Sequence, residues 1–148
     1  MSISKKLLLL LVVCSVMELR NFATRKVQLN INGDQLQKCN DNPTTGFYRD
    51  GYCKTDQHDS GTHTVCAYVT KKWLNQQKAA GNDLITPSPK NQFPGLKPGQ
   101  HWCVCAIAWR EGLEAGFAPK VKLGATNALT TKYVSKKKIL QNVQPANK

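Results

Sequence analysis

Trp102-Cys103-Val104-Cys105-Ala106-Ile107-Ala108 is the stretch on which the fold turns. It is a short apolar run without a charge, and it suits a strand buried at the centre of a small sheet. In a strand, side chains two apart share a face, so Cys103 and Cys105 point the same way, with His101 beside them if the strand reaches that far. Trp109 to Ala115 then reads as a short helix stopped by Gly116 and Pro119. On the N-terminal side, His63 to Val69 reads as a second buried strand. Thr70 can cap a helix over Lys71 to Ala80, with Gly81 where helices commonly stop.

Further out, Val27 to Ile31 alternates like a half-buried strand and is followed by the turn signal Asn32-Gly33. Val121 to Leu123 fits one more short strand, and Ser135 can cap a last helix over Lys136 to Val143. Two segments resist regular structure. Asn40 to Gly61 is dense in turn residues. Asn82 to His101 carries Pro87, Pro89, Pro94 and Pro98 with Gly95 and Gly99. Loops this long are uncommon inside compact domains and are usually functional or disordered. Phe93, Leu96 and Trp102 argue for an ordered loop that packs over the cysteine strand. The expected architecture is a single small α+β domain with a small sheet, two or three short helices and long ordered loops.

The chain has 148 residues, 41% of them hydrophobic, which is enough for one domain with a real core. Residues 1–26 differ from the rest. Lys5 and Lys6 precede the apolar run Leu7 to Val13, which has signal-peptide length but is too short to cross a bilayer. The expected division is a leader over 1–26, a globular domain over 27–134 and a basic helix or tail over 135–148. Two readings of the leader stand side by side: an exported protein if residues 1–17 are a signal peptide, or a cytoplasmic one if translation begins at Met17. The formal charge is +12, of which +8 lies beyond residue 26. Scattered lysines without a nucleic-acid motif predict weak, sequence-blind phosphate contacts rather than specific nucleic-acid binding. A basic surface can attract nucleic acid, acidic lipid or an anionic ligand, but without such a motif it is better read as a Lys-rich solvated face, and a small polar or anionic ligand is the partner expected of the loops.

Candidate chemistry gathers around the cysteines. Five of the six lie beyond residue 26. Cys39 with Cys53 is the obvious disulfide candidate, and closing a loop of that size contributes about 3 kcal/mol in the chain-entropy model. An odd number leaves at least one thiol free. His63, Cys66, Cys103 and Cys105 are metal or thiol candidates, and with Cys39 and Cys53 brought near by folding they could hold zinc. There is no paired C-x-x-C, so the spacing argues against it, and no cofactor is expected, with zinc kept as the lesser alternative. His101 with Cys103 is the better base and thiol pair for an enzyme, because two apart on a strand shares a face. Arg49, Asp50, Asn82, Asp83 and Lys97 sit in loops and, with His101 and Trp102, are candidates to line a polar pocket. Arg49 paired with Asp83, or Asp50 and Asn82 bonded to turn backbone, is the structural alternative. Phosphate-cradling loops, metalloprotease helices, G-x-S-x-G elbows and dinucleotide fingerprints are absent. The leading expectation is a non-catalytic binding or structural domain with a loop-built pocket. A thiol- or metal-dependent enzyme using His101, Cys103 and Cys105 is the rival.

Several motifs occur in order: Thr45-Gly46-Phe47-Tyr48-Arg49-Asp50-Gly51, His63-Thr64-Val65-Cys66-Ala67, Gly81-Asn82-Asp83-Leu84, Phe93-Pro94-Gly95-Leu96-Lys97-Pro98-Gly99 and Trp102-Cys103-Val104-Cys105-Ala106. Over about Gln28 to Asn127 they resemble the small, mostly bacterial family known as domain of unknown function 2237. The resemblance implies the domain without implying a reaction. Two departures stand out: Tyr52 and Cys53 where the family pattern has a Cys pair, and Asn127 where it has a histidine.

Overall fold

A computed structural model describes residues 27–145. The expected leader lies outside them. Strand β1 (Val65–Tyr68) pairs antiparallel with β2 (His101–Val104), in the register Val65↔Val104, Cys66↔Cys103, Ala67↔Trp102 and Tyr68↔His101. The period of two divides the pair into faces. Val65, Ala67, Trp102 and Val104 join the main apolar core, while Cys66 and Cys103 build a separate buried cluster with Cys39, Cys53 and Ala125. Among the described residues this two-stranded sheet, three α-helices and long loops make a small α+β domain. Val27 to Ile31 and Val121 to Leu123 contribute isolated bridges rather than strands: Leu29 pairs with Gln35 and Asn30 with Asn127, and Val121 pairs with Ala67.

Helix α1 (Lys71–Ala79) forms where its cap signals place it. Thr70 Oγ1 accepts from the Trp73 N–H at 3.1 Å, and Gly81 takes φ +87 just past the end. Trp73, Leu74 and Gln77 form its buried stripe. Helix α2 (Ala106–Glu114) begins three residues earlier than expected, and β2 ends correspondingly early. The physical reason is that an apolar run suits a buried strand or helix equally well. Ala106, Trp109 and Gly112 recur at helical spacing and turn the second half of the run into helix. Cys105 is therefore the residue before α2, not a strand neighbour of Cys103. Helix α3 (Lys136–Leu140) is shorter than expected, and Ser135 makes no side-chain cap bond. Ile139 is nevertheless fully buried, and Val143 bridges Val121.

Gly112 is where the two longer helices meet. A Cβ there would stand 2.5 Å from Trp73 Cζ3, and the Trp73 ring is itself fully buried. Alanine gains about 1 kcal/mol over glycine in a helix, but overfilling a packed core costs about 1–3 kcal/mol. Gly112→Ala should therefore lower the midpoint of denaturant unfolding. A raised midpoint would show that the Trp73 contact is loose.

The segment from Asn82 to His101 is ordered by its own bonds. Ser88 and Phe93 exchange backbone bonds around a tight turn over Pro89–Asn91, Leu96 N–H reaches Leu84 O, and Gly99 N–H reaches Val69 O. Leu96 is 2% exposed. The loop is thus anchored on the core, and its outer half leans over β2. Among the described residues no helix is long and apolar enough to cross a membrane.

Candidate functional site

An open cavity of about 750 Å³ lies between the Gly46–Arg49 turn, the outer half of the long loop, and β2. Of the residues expected at a site, Arg49, His63, Asp83, Trp102 and Cys103 line it. Phe47 and Phe93 complete its aromatic walls.

Arg49 sits at φ 52, a left-handed conformation that a non-glycine residue adopts only when its surroundings hold it there. Its Nη1 donates to Gly46 O at 2.6 Å, and its guanidinium carbon lies 5.0 Å from the centre of the Trp102 ring. Among the described residues no carboxylate pairs with it, so the expected Arg49–Asp83 contact is replaced by a stack on Trp102. Phe93 packs on the same ring, centroids 5.4 Å apart.

Asp83 faces the cavity with its oxygens already engaged. They accept the backbone N–H groups of Ile85 and Thr86, the Thr86 hydroxyl, and Lys78 Nζ at 3.0 Å. The Thr86 bonds above all, then those from Ile85 and Lys78, hold this carboxyl well below the usual range.

His63 has a buried partner that the sequence reading missed. Asp59, with its side chain fully enclosed, accepts the His63 backbone N–H at 2.8 Å and sits 2.6 Å from Nδ1. With Nδ1–H given to Asp59, Nε2 is the ring nitrogen left for a ligand. The Phe47 ring stacks on the imidazole at 6.2 Å and 17°. The available signal was Asp59 ahead of the Ser60-Gly61 turn, where an aspartate side chain readily binds the backbone that follows. Next to Phe47, Tyr48 donates to Asp56, and that bond pushes its hydroxyl up to about 12.

The other expected residues are placed elsewhere. Asp50 accepts from Tyr52 N–H and pairs with Lys54, Asn82 donates to Gln77, and the Lys97 backbone bonds Gln100. These are local braces. His101 shares the face of Cys103 as expected, but its Nε2 meets Gln144 Oε1 at 2.8 Å. Asn127 is buried and donates to Cys53 O and Gln28 Oε1. Tyr52 lies between Lys38 and Lys54.

The cysteine pairing differs from the expected one. Cys39 bonds Cys66 and Cys53 bonds Cys103, so Cys39 and Cys53 are not partners. The reason lies in the sheet. Cys66 and Cys103 sit opposite each other, and their N–H groups turn away to Thr126 Oγ1 and Thr45 Oγ1. Both sulfurs lie on the face of the sheet that carries the cluster with Cys39 and Cys53, and each takes one of them. Cys103 in this form offers no thiolate for His101. Among the described residues Cys105 is the free thiol, half-buried at the start of α2.

These features define a small α+β domain, cross-linked by two disulfides, with a loop-built cavity beside its sheet. Over residues 29–143 the chain matches the family described as an uncharacterized protein conserved in bacteria, domain of unknown function 2237, and it belongs to that family. No curated protein matches it.

Proposed function

We propose that the chain is a non-catalytic binding domain whose cavity takes a small anion, preferably a carboxylate on a flat carbon skeleton. The observation that carries this reading is the Arg49 guanidinium, which has no carboxylate partner among the described residues and is held over Trp102 at the cavity wall. A guanidinium binds a carboxylate through two parallel bonds, and these are among the stronger hydrogen bonds. The rings of Phe47, Phe93 and Trp102 supply apolar area for the rest of the ligand. His63 adds a second polar contact through Nε2. Asp83 does not oppose an anion strongly, because its charge is already met by Lys78 and by backbone N–H groups. The +8 surplus beyond residue 26 favours the approach of anions.

Benzoate and its neutral isostere benzamide test the reading by calorimetry on the oxidised chain. Benzoate should bind and benzamide should bind at least about tenfold more weakly, the size of one lost charge-assisted bond. Arg49→Gln, which keeps a side chain on the same backbone, should remove that preference with little change in stability. Equal binding of the two probes, or a preference that survives Arg49→Gln, would overturn the proposal.

A further inference from the structure

We propose that the four sulfurs of Cys39, Cys53, Cys66 and Cys103 form a zinc site when the protein is reduced. The sulfurs of Cys39, Cys53 and Cys103 lie within 4.8 Å of one another, and that of Cys66 is bonded to Cys39. All four residues share one buried cluster, between 0% and 5% exposed. In tetrahedral coordination with zinc–sulfur bonds of about 2.3 Å, the sulfurs stand about 3.8 Å apart. With each disulfide opened, side-chain rotation would have to bring the four sulfurs to that spacing, the longest move falling to Cys66, whose sulfur lies outside the group of three.

The arrangement of the four is that of a ligand set rather than of chance neighbours. Cys66 and Cys103 project side by side from one face of the strand pair, in the register position whose N–H groups point outward and whose side chains stand closest. Cys39 and Cys53 come from two loop segments joined by the Cys39 N–H to Gly51 O bond. Two ligands from a sheet and two from a facing loop close a site on all sides. The absence of a C-x-x-C motif is no obstacle, because that spacing serves knuckles in which one short turn supplies two ligands, whereas here each sulfur comes from its own segment. Four thiolates select a soft or borderline ion such as zinc over calcium or magnesium. Cys105, outside the cluster, is not a ligand.

The redox step balances with an external dithiol. Each disulfide takes two electrons and two protons from one dithiol, which closes to its own disulfide. The four thiols then lose their protons as they bind one Zn²⁺. In a reducing compartment the new chain would take the metal directly. A domain with only two four-residue strands would thus keep a cross-link in either compartment.

The test uses the full chain made under reducing conditions and kept with a phosphine reductant and no chelator. About one zinc per chain should be found by elemental analysis. Replacement by Co²⁺ should give the visible bands and sulfur charge-transfer intensity of a tetrahedral four-thiolate site. A strong chelator should lower the melting temperature of the reduced protein and leave that of the oxidised protein unchanged. Cys39→Ser should weaken cobalt binding at least about a hundredfold, since loss of a mere outer-shell partner of a ligand already costs roughly tenfold to a hundredfold, while Cys105→Ser should bind as the parent does. A reduced, folded chain without zinc would overturn the proposal. So would a cobalt spectrum with fewer than four sulfurs, or equal effects of the two substitutions. If Cys39→Ser does not fold, the sulfur count and the chelator response of the unaltered chain still decide the matter.

Discussion

Replacing Cys53 and Cys103 together by alanine is expected to lower the stability of the oxidised protein by about 4 kcal/mol, the chain-entropy value for a cross-link across 50 residues. Both side chains are almost completely enclosed, so the missing sulfurs also leave unfilled space that adds to the loss. The double change is needed because a lone Cys103 thiol would stand within 4.8 Å of the Cys39 sulfur and could attack the neighbouring disulfide. Replacing Cys39 and Cys66 instead should cost about 0.5 kcal/mol less, since their separation is 27 residues. Equilibrium urea unfolding of the two double variants beside the parent checks both values. A loss below about 1 kcal/mol for the first pair would mean that the unfolded chain is held together by other means.

The same bond matters to the cavity. The chain from Gly46 to Cys53 carries Phe47 and Arg49, and the Cys53–Cys103 bond ties its end to β2, where Trp102 supplies the ring on which Arg49 stacks. Without that tie, Cys103 N–H to Thr45 Oγ1 still holds the start of the turn on β2, and Gly51 N–H to Thr45 O and Cys39 N–H to Gly51 O brace its end. Benzoate affinity should therefore fall in the Cys53/Cys103 variant more than in the Cys39/Cys66 one, whose bond reaches the turn only through Cys39.

Local signals in the sequence were read correctly where the physics is local. Thr70 and Gly81 bound α1 because a cap and a left-handed stop need only neighbours in the chain. His101 falls on the face of Cys103 because strand alternation needs nothing more. Arg49, His63, Asp83, Trp102 and Cys103 reach one cavity from four segments, and the clue to this was the density of polar and aromatic residues in two long loops. What could not be read depends on tertiary contact. Four cysteines allow three pairings, and the one adopted depends on which loop segment reaches Cys66 and which reaches Cys103, a tertiary matter that no spacing reveals. Gln144 closing on His101 from 43 residues away is a contact of the same kind. Asp50, Asn82 and Lys97 look like pocket residues in a sequence because turn-bracing residues and ligand-binding residues share a composition.

Trp109→Ala should be as damaging as the loss of a disulfide, by about 3–5 kcal/mol, the range for removing a buried aromatic ring. Trp109 is fully enclosed and stands on the buried face of α2, one turn after Ala106 and one turn before Gly112. Its Nε1–H donates to Pro119 O at 3.0 Å, so the side chain also pins the segment that leads from α2 to Val121. Val121 in turn bridges Ala67 on the free edge of β1 and Val143 beyond α3. One ring therefore holds the helix, the edge of the sheet and the C-terminal segment together. Trp109→Phe separates the two contributions: it keeps most of the packing and leaves Pro119 O without its donor, which costs about 1–3 kcal/mol for a buried acceptor. Hydrogen exchange should then show faster exchange at Val121 and Gln144, whose N–H groups pair with Asn142 O and Val121 O, while the amides of α1 stay protected. Uniform loss of protection across the domain in Trp109→Phe would mean that the ring's packing, and not its bond to Pro119, anchors that edge.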